Sequence, residues 1–138
     1  MAIMLTEIPS EFWQGVEQFN QRQFYHCHDT LESLWMESPE PEKKFYQGVL
    51  QIAVGCYHLQ NHNWRGAVIL LGEGINRISY FAPVYSGINV TELLTSSQQL
   101  LTKLQQSGTD NVVNIVKELE SNQNPDLTFP VLIIIEEI

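Results

Sequence analysis

The chain has 138 residues, a formal net charge of −9 and a hydrophobic content of 43%. This length suits one ordinary domain and this composition suits a globular fold, so general disorder is excluded. Nucleic-acid binding is also excluded, because phosphates need clustered basic side chains and only Lys43 and Lys44 among the seven basic residues are adjacent.

The helical spacing of apolar residues predicts six helices in a single domain over residues 1–138. The first helix begins near Ser10, and the others span about 24–36, 42–61, 63–81, 89–107 and 110–121. Proline-containing segments separate several of them, and residues 83–87 are expected to form a loop. No clear internal repeat is visible in the sequence.

Four polar residues are expected to cap these helices at their N-termini. Ser10, Asn63 and Asp110 each stand at the start of an apolar helical pattern. Asn89 followed by Glu92 resembles a capping box, in which each side chain bonds the backbone N–H of the other residue.

The third predicted helix, about 42–61, has no formally charged residue between Lys44 and Arg65. Nearly its whole circumference can therefore be buried, and we expect it to be the central helix of the fold. The fold class predicted is all-α: a multihelical bundle of about six helices with a buried central helix and an extended C-terminal tail.

The tail, residues 122–138, contains the β-branched run 131–135. We expect an isolated extended segment, because the sequence shows no second strand for it to pair with. It would pack on the bundle or on a second copy of the chain, which allows a homodimer.

The most informative motif lies in the second predicted helix. His28, Glu32 and Trp35 are four and three residues apart, so a helix places them on one face, with Leu31 between them. A histidine and a carboxylate among apolar residues need polar partners, because their burial without partners is costly. Asp29 adds a second carboxylate to the motif.

The third helix offers a complementary polar face, formed by Gln47, Gln51 and His58. Since a polar face on a buried helix also needs partners, we expect this face to meet the motif. We call the predicted set the polar seam, and its members are His28, Asp29, Glu32, Trp35, Gln47, Gln51 and His58.

The segment 19–71 resembles a bacterial and archaeal family known as domain of unknown function 309. Three motifs carry the resemblance: a His-x-x-x-Glu-x-x-Trp motif, a Gln-Gly-x-x-Gln segment and a Gly-Ala-x-x-Leu-Leu helix. They stand here as His28, Glu32 and Trp35; Gln47, Gly48 and Gln51; and Gly66, Ala67, Leu70 and Leu71. The chain departs from the family at Asp29, where the family usually carries Glu. The resemblance implies an all-helical bundle and a proposed metal site at the first motif, but no activity.

Two classes of function fit these residues. The first is a structural or interaction domain in which the polar seam fixes the register of two helices. The alternative is a small metal-dependent enzyme, hydrolase-like, in which His28 and Glu32 bind zinc, manganese or iron and His58, or in its place Asp29 or His26, completes the ligand shell. In that case Asp29 or Gln51 would orient a water or a substrate.

Cellular location is inferred from cysteine use and from the lack of targeting signals. Cys27 and Cys56 are the only cysteines, and each lies in an apolar helical context typical of a free, buried thiol. The N-terminus lacks the basic region of a signal peptide, and no apolar run approaches the length of a membrane span. We therefore expect a cytoplasmic protein that does not interact with membranes.

Overall fold

The computed structural model describes residues 8–135, and within them it contains six α-helices and one small two-stranded sheet. The helices are α1 (Ser10–Asn20), α2 (Phe24–Glu37), α3 (Glu42–Gln60), α4 (Trp64–Ile78), α5 (Val90–Ser107) and α6 (Val112–Ser121). The strands are β1 (Val84–Tyr85) and β2 (Ile88–Asn89). The prediction of an all-α fold with six helices is confirmed.

Helices α1 and α2 form one antiparallel hairpin, and α3 and α4 form a second hairpin with the same turn. Arg22 and His62 occupy the same position in the two turns, with left-handed φ angles of 63° and 60°. The residue that follows each of them donates its N–H to a carbonyl five residues earlier, at 2.9 Å for Gln23 and 2.8 Å for Asn63. Equivalent residues in the two turns are 40 positions apart.

The packing inside the two hairpins is also equivalent. Gly15 of α1 lies against Leu31 of α2, and 40 residues later Gly55 of α3 lies against Leu71 of α4. A glycine at this position lets the paired helices approach closely, and the facing leucine fills the space. The two hairpins are therefore structural repeats, which the sequence analysis missed because few equivalent positions carry the same residue.

Helix α3 is the buried central helix that the missing charges predicted. Ten of its residues are buried, because it packs on both α2 and α4. A Cβ atom added at Gly74 of α4 would lie 2.9 Å from the carbonyl oxygen of Gly48, so the backbones of α3 and α4 are in near contact. This close approach fixes the position of every polar side chain that projects from α3 towards α4.

The helix N-termini confirm two of the four predicted caps. The side chain of Asn63 accepts from the N–H of Gly66, and that of Asn89 accepts from the N–H of Glu92, both at 3.0 Å. Asp110 lies in a 3-10 turn before α6 and does not cap it, and Ser10 makes no side-chain cap at α1. The capping box is incomplete, because the N–H of Asn89 donates to the carbonyl of Ile133 instead.

Residues 84–89 form a hairpin, not the loop expected over 83–87. Its central residues Ser86 and Gly87 both have positive φ, at 50° and 74°, which matches the right-handed twist of paired strands. Ile134 of the tail then pairs antiparallel with Ile88, supported by hydrogen bonds from Asn89 to Ile133 and from Ile135 to Gly87. The expectation that the tail has no strand to pair with was therefore wrong.

The tail also packs on the first hairpin. Asn20 bonds the backbone of Leu132 in both directions, donating at 2.9 Å and accepting at 2.7 Å, and Leu132 is buried. Beside it, the guanidinium of Arg22 lies 5.1 Å from the ring centre of Phe129. Packing on the bundle, one of the two roles expected of the tail, is thus observed, and the homodimer stays a prediction.

Within the described part of the chain, no helix has both the length and the apolar character that a membrane crossing requires.

Candidate functional site

Helix α2 brings His28, Asp29 and Glu32 together on its surface. Nδ1 of His28 lies 3.3 Å from a carboxylate oxygen of Asp29, and Nε2 lies 3.4 Å from a carboxylate oxygen of Glu32. One ligand atom from each of the three residues lies within 4.8 Å of the other two. The four-residue spacing of His28 and Glu32 on one helix produces the second contact directly.

The two nitrogens of His28 therefore face two carboxylates. A neutral imidazole carries one N–H donor and one lone pair, so it can donate to only one of these carboxylates. The other nitrogen then presents its lone pair towards a carboxylate oxygen, which is favourable only if a proton or another cation lies between them. One ring nitrogen of the neutral imidazole thus presents a lone pair beside a carboxylate oxygen.

The motif lies at the edge of the core. The side chains of His28, Asp29 and Glu32 are 30%, 57% and 47% exposed. The core side of α2 is taken by other residues of the helix, namely Phe24, Cys27, Leu31 and Leu34. The motif was expected to be buried, but its side chains lie where a ligand from solvent can reach them.

Trp35 continues the motif face towards the end of α2. Its indole packs on the core, and the ammonium of Lys43 lies 4.8 Å from the ring centre. The indole N–H of Trp35 is buried and makes no hydrogen bond within residues 8–135. Trp35 thus anchors the α2–α3 corner instead of joining the cluster at His28.

Gln51 is nine-tenths buried, with 9% of its surface exposed, and its partners lie on α4. Its amide donates to Glu73 at 3.2 Å and its carbonyl accepts from Nε of Arg77 at 3.1 Å. The sequence analysis assigned the partners of Gln51 to the face of α2 that carries His28. Glu73 and Arg77 were missed, although their four-residue spacing on a glycine-rich helix was a readable signal.

Gln47 and His58 complete the predicted seam but do not join the cluster at His28. Gln47 is half-buried, and its side chain makes no hydrogen bond within residues 8–135. His58 lines a cavity of about 140 Å³ together with His28, Tyr25, Val54 and Tyr57. The two histidines therefore share one cavity, although only His28 belongs to the cluster with Asp29 and Glu32.

Asn63 determines which nitrogen of His58 carries a proton. The oxygen of the Asn63 amide already accepts from Gly66, so its nitrogen faces Nδ1 of His58, at 3.3 Å. Nδ1 must then accept, and in the neutral ring the proton sits on Nε2. Metal ligation by Nε2 would instead require a proton on Nδ1, which the Asn63 amide nitrogen cannot accept.

Cys27 and Cys56 are free, buried thiols, as predicted. Burial raises the pKa of the Cys27 thiol to about 12. Burial, with a smaller effect from Cys27, raises the pKa of Cys56 further. Neither side chain offers a thiolate for catalysis or metal binding near neutral pH.

Comparison with known proteins supports the resemblance drawn from the motifs. Residues 12–70, from α1 into α4, match the family model described as domain of unknown function (DUF309). The uncharacterized protein YpuF of Bacillus subtilis (strain 168) is 36% identical over 61 residues, which cover 44% of this chain and 35% of that protein. The chain therefore aligns with about a third of the length of this relative. The region from α1 to the middle of α4, which includes the His28 cluster, is thus similar to domain of unknown function 309.

Proposed function

We propose that this chain binds a divalent metal ion through Nε2 of His28 and the carboxylate of Glu32. The observation that carries the proposal is the 3.4 Å separation of these two atoms. Two ligand atoms that each lie about 2.1 Å from a tetrahedral metal are themselves about 3.4 Å apart. The separation of these two atoms therefore equals that of two ligands of one tetrahedral ion.

Asp29 supports this assignment through the other nitrogen of the ring. A histidine that binds metal through one nitrogen usually donates its other N–H to a carboxylate, which fixes the tautomer and the ring orientation. Asp29 has a carboxylate oxygen 3.3 Å from Nδ1, and it would accept that proton once the ring and the carboxylate align. In this proposal Asp29 is a positioning residue, and His28 and Glu32 are the ligands.

Mixed nitrogen and oxygen ligation suits zinc, manganese or iron. With two protein ligands, several coordination positions would stay open for water or for a substrate oxygen. A metal with open positions activates water for hydrolysis, so a metal-dependent hydrolase is the enzyme class to which this proposal leads. His58, whose Nε2 carries a proton in the neutral ring, would line the neighbouring cavity and donate a hydrogen bond there.

We also propose a cytoplasmic location. Two free thiols in one small domain are typical of a reducing compartment.

The direct test is metal analysis of protein prepared without a histidine tag. After EDTA treatment, zinc and manganese titrations followed by calorimetry should show one site per chain. We expect His28→Ala and Glu32→Gln to abolish binding, and Asp29→Asn to weaken it about 10- to 100-fold. His26→Ala is the matched control, because His26 lies on the same helix, is exposed and stands outside the cluster.

Two results would contradict the proposal. The first is a wild-type protein that takes up neither metal at millimolar concentration. The second is binding that His28→Ala and His26→Ala reduce equally. Either result, combined with reduced heat stability of His28→Ala alone, would favour a structural role for the contacts of His28 with Asp29 and Glu32.

A further inference from the structure

A second cavity lies on the other hairpin, where the end of α4 meets the start of α3. Its volume is about 570 Å³, within the range of small-molecule sites. The lining residues come from the start of α3, the last turns of α4 and the 3-10 turn that follows: Pro41, Lys44, Glu73, Asn76, Arg77, Tyr80 and Phe81. None of these residues belongs to the His28 cluster.

Arg77 is the positioned cation of this cavity. Its Nε donates to Gln51, whose amide is nine-tenths buried and is itself held by Glu73. One edge of the guanidinium is thus fixed by the core. The two terminal nitrogens of Arg77 make no hydrogen bond or ion pair within residues 8–135, so their donors are available to a ligand.

The charge around the cavity is opposite to that of the whole chain. Lys44 and Arg77 contribute two positive charges, and Glu73 contributes one negative charge, in a protein of net charge −9. One oxygen of Glu73 is already occupied by the amide of Gln51. A local excess of positive charge beside a preorganised guanidinium is the arrangement that binds a carboxylate or phosphate group, since the terminal N–H groups can bond two of its oxygens together.

The walls of the cavity add an aromatic surface. Phe81 is held in place by Tyr85 and Phe45, with ring centres 4.7 and 5.3 Å away. Tyr80 is 82% exposed, although it is a large aromatic side chain at the end of a well-packed helix. Tyr80 and Phe81 both line the cavity and offer apolar contact to a ring carried by the ligand.

We propose that this cavity binds a small aromatic molecule that carries a phosphate or carboxylate group. Arg77 and Lys44 bind the oxyanion, Asn76 contributes an amide, and Tyr80 and Phe81 contact the ring. Gln51 is a positioning residue, which explains why an amide is buried between α3 and α4.

The test is calorimetric titration with phenyl phosphate, benzoate, inorganic phosphate and phenol. We expect phenyl phosphate or benzoate to bind at least tenfold more tightly than inorganic phosphate or phenol. Arg77→Gln should weaken that binding about 10- to 100-fold, because it removes a charge-assisted pair of hydrogen bonds. Tyr80→Ala should reduce the preference for the aromatic ligand and leave affinity for inorganic phosphate unchanged.

Lys103→Gln is the matched control for loss of one positive charge, because Lys103 is exposed and lines a different groove. Gln51→Leu should weaken binding while Lys44 and Arg77 are still present, which tests positioning separately from charge. Circular dichroism of each variant establishes that it is folded. Repeating the titrations in EDTA separates this cavity from the metal proposed at His28.

The proposal would be overturned if neither aromatic anion binds at millimolar concentration. It would also be overturned if Arg77→Gln and Lys103→Gln have equal effects. If inorganic phosphate binds as tightly as phenyl phosphate, the ligand's aromatic ring contributes nothing to binding and the proposal of an aromatic ligand is wrong. Phenyl phosphate binding that is lost in EDTA would assign the phosphate to the metal at His28.

Discussion

The two helical hairpins have the same turn and the same glycine–leucine contact, but their polar clusters are built from non-equivalent positions. His28, Asp29 and Glu32 of the first hairpin correspond, 40 residues later, to Val68, Ile69 and Gly72. Conversely, the residues equivalent to Gln51, Glu73 and Arg77 of the second hairpin are Glu11, Ser33 and Glu37 of the first. The repeated architecture thus fixes the helix packing, and each hairpin uses a different part of its surface for polar chemistry.

The largest effect expected from this comparison concerns the two equivalent glycines. A Cβ atom added at Gly55 would lie 3.0 Å from the backbone nitrogen of Leu71, which cannot move without shifting α4. At Gly15 the nearest atoms to the added atom are all side-chain atoms, of Leu31 at 2.8 Å and of Thr30 at 3.8 Å, and a side chain adjusts more readily than a backbone.

We therefore expect Gly55→Ala to lower the free energy of unfolding by about 1–3 kcal/mol. Gly15→Ala should change it by less than about 1 kcal/mol, because the helix propensity of alanine offsets the crowding. Urea denaturation followed by circular dichroism measures both values. Equal losses in the two variants would show that the hairpins are not packed differently at this contact.

The second prediction concerns the starts of α2 and α4. Gln23 and Asn63 have similar backbone angles, at φ −87°, ψ 64° and φ −90°, ψ 86°, but only Asn63 caps its helix with its side chain. Asn63→Gln should therefore lower the free energy of unfolding by about 1 kcal/mol, and Gln23→Asn should raise it by up to about the same amount. Thermal denaturation of the two single variants and the double exchange tests this, and a loss from Gln23→Asn would argue against equivalent turns.

The third prediction concerns the two thiols. Its effect is the smallest of the three at neutral pH and grows as the pH rises. Because the pKa of Cys27 rises to about 12 in the folded protein, its contribution to stability is present below the pKa of the unfolded thiol, about 8.5. That contribution is lost as the pH rises from about 9 to 12, since the unfolded state releases the proton first. Denaturation curves from pH 8 to 11 should show falling stability, with a shallower fall in Cys27→Ala.

Labelling with a thiol-reactive dye is the control, because it measures whether the two cysteines are accessible in the folded protein. Both cysteines should be unreactive at pH 8 in the folded protein and fully reactive in denaturant. Rapid labelling of folded protein would show that the contact between α2 and α3 opens far more readily than their packing implies.

The sequence was sufficient to predict the helices and the central position of α3. Apolar residues at helical spacing mark each helix, Asn63 and Asn89 mark two of the starts, and the missing charges between Lys44 and Arg65 mark burial. These signals are local, because each depends on residues within one or two turns of helix.

The partners of the polar residues were not predictable in the same way. Periodicity shows that Gln51 faces another element, but α3 packs on both α2 and α4, and nothing local selects between them. The close approach of Gly74 to Gly48 determines that the partners of Gln51 lie on α4, because it brings Glu73 and Arg77 within hydrogen-bond distance of the Gln51 amide. The pairing of Ile134 with Ile88 was missed for the same reason, since it depends on how the tail crosses the finished bundle.

The two hydrogen bonds between the side chain of Asn20 and the backbone of Leu132 have a consequence for the order of folding. These residues are 112 positions apart, so the turn of the first hairpin is completed by a segment synthesised much later. In the folded protein the ring of Phe24 lies 5.4 Å from that of Phe129. Until the tail is synthesised, this side of the Phe24 ring has no packing partner. The first hairpin is made first during synthesis, but its contacts are completed last, when the tail packs on it. A chain that stops before the tail therefore exposes the apolar surface around Phe24 to other proteins.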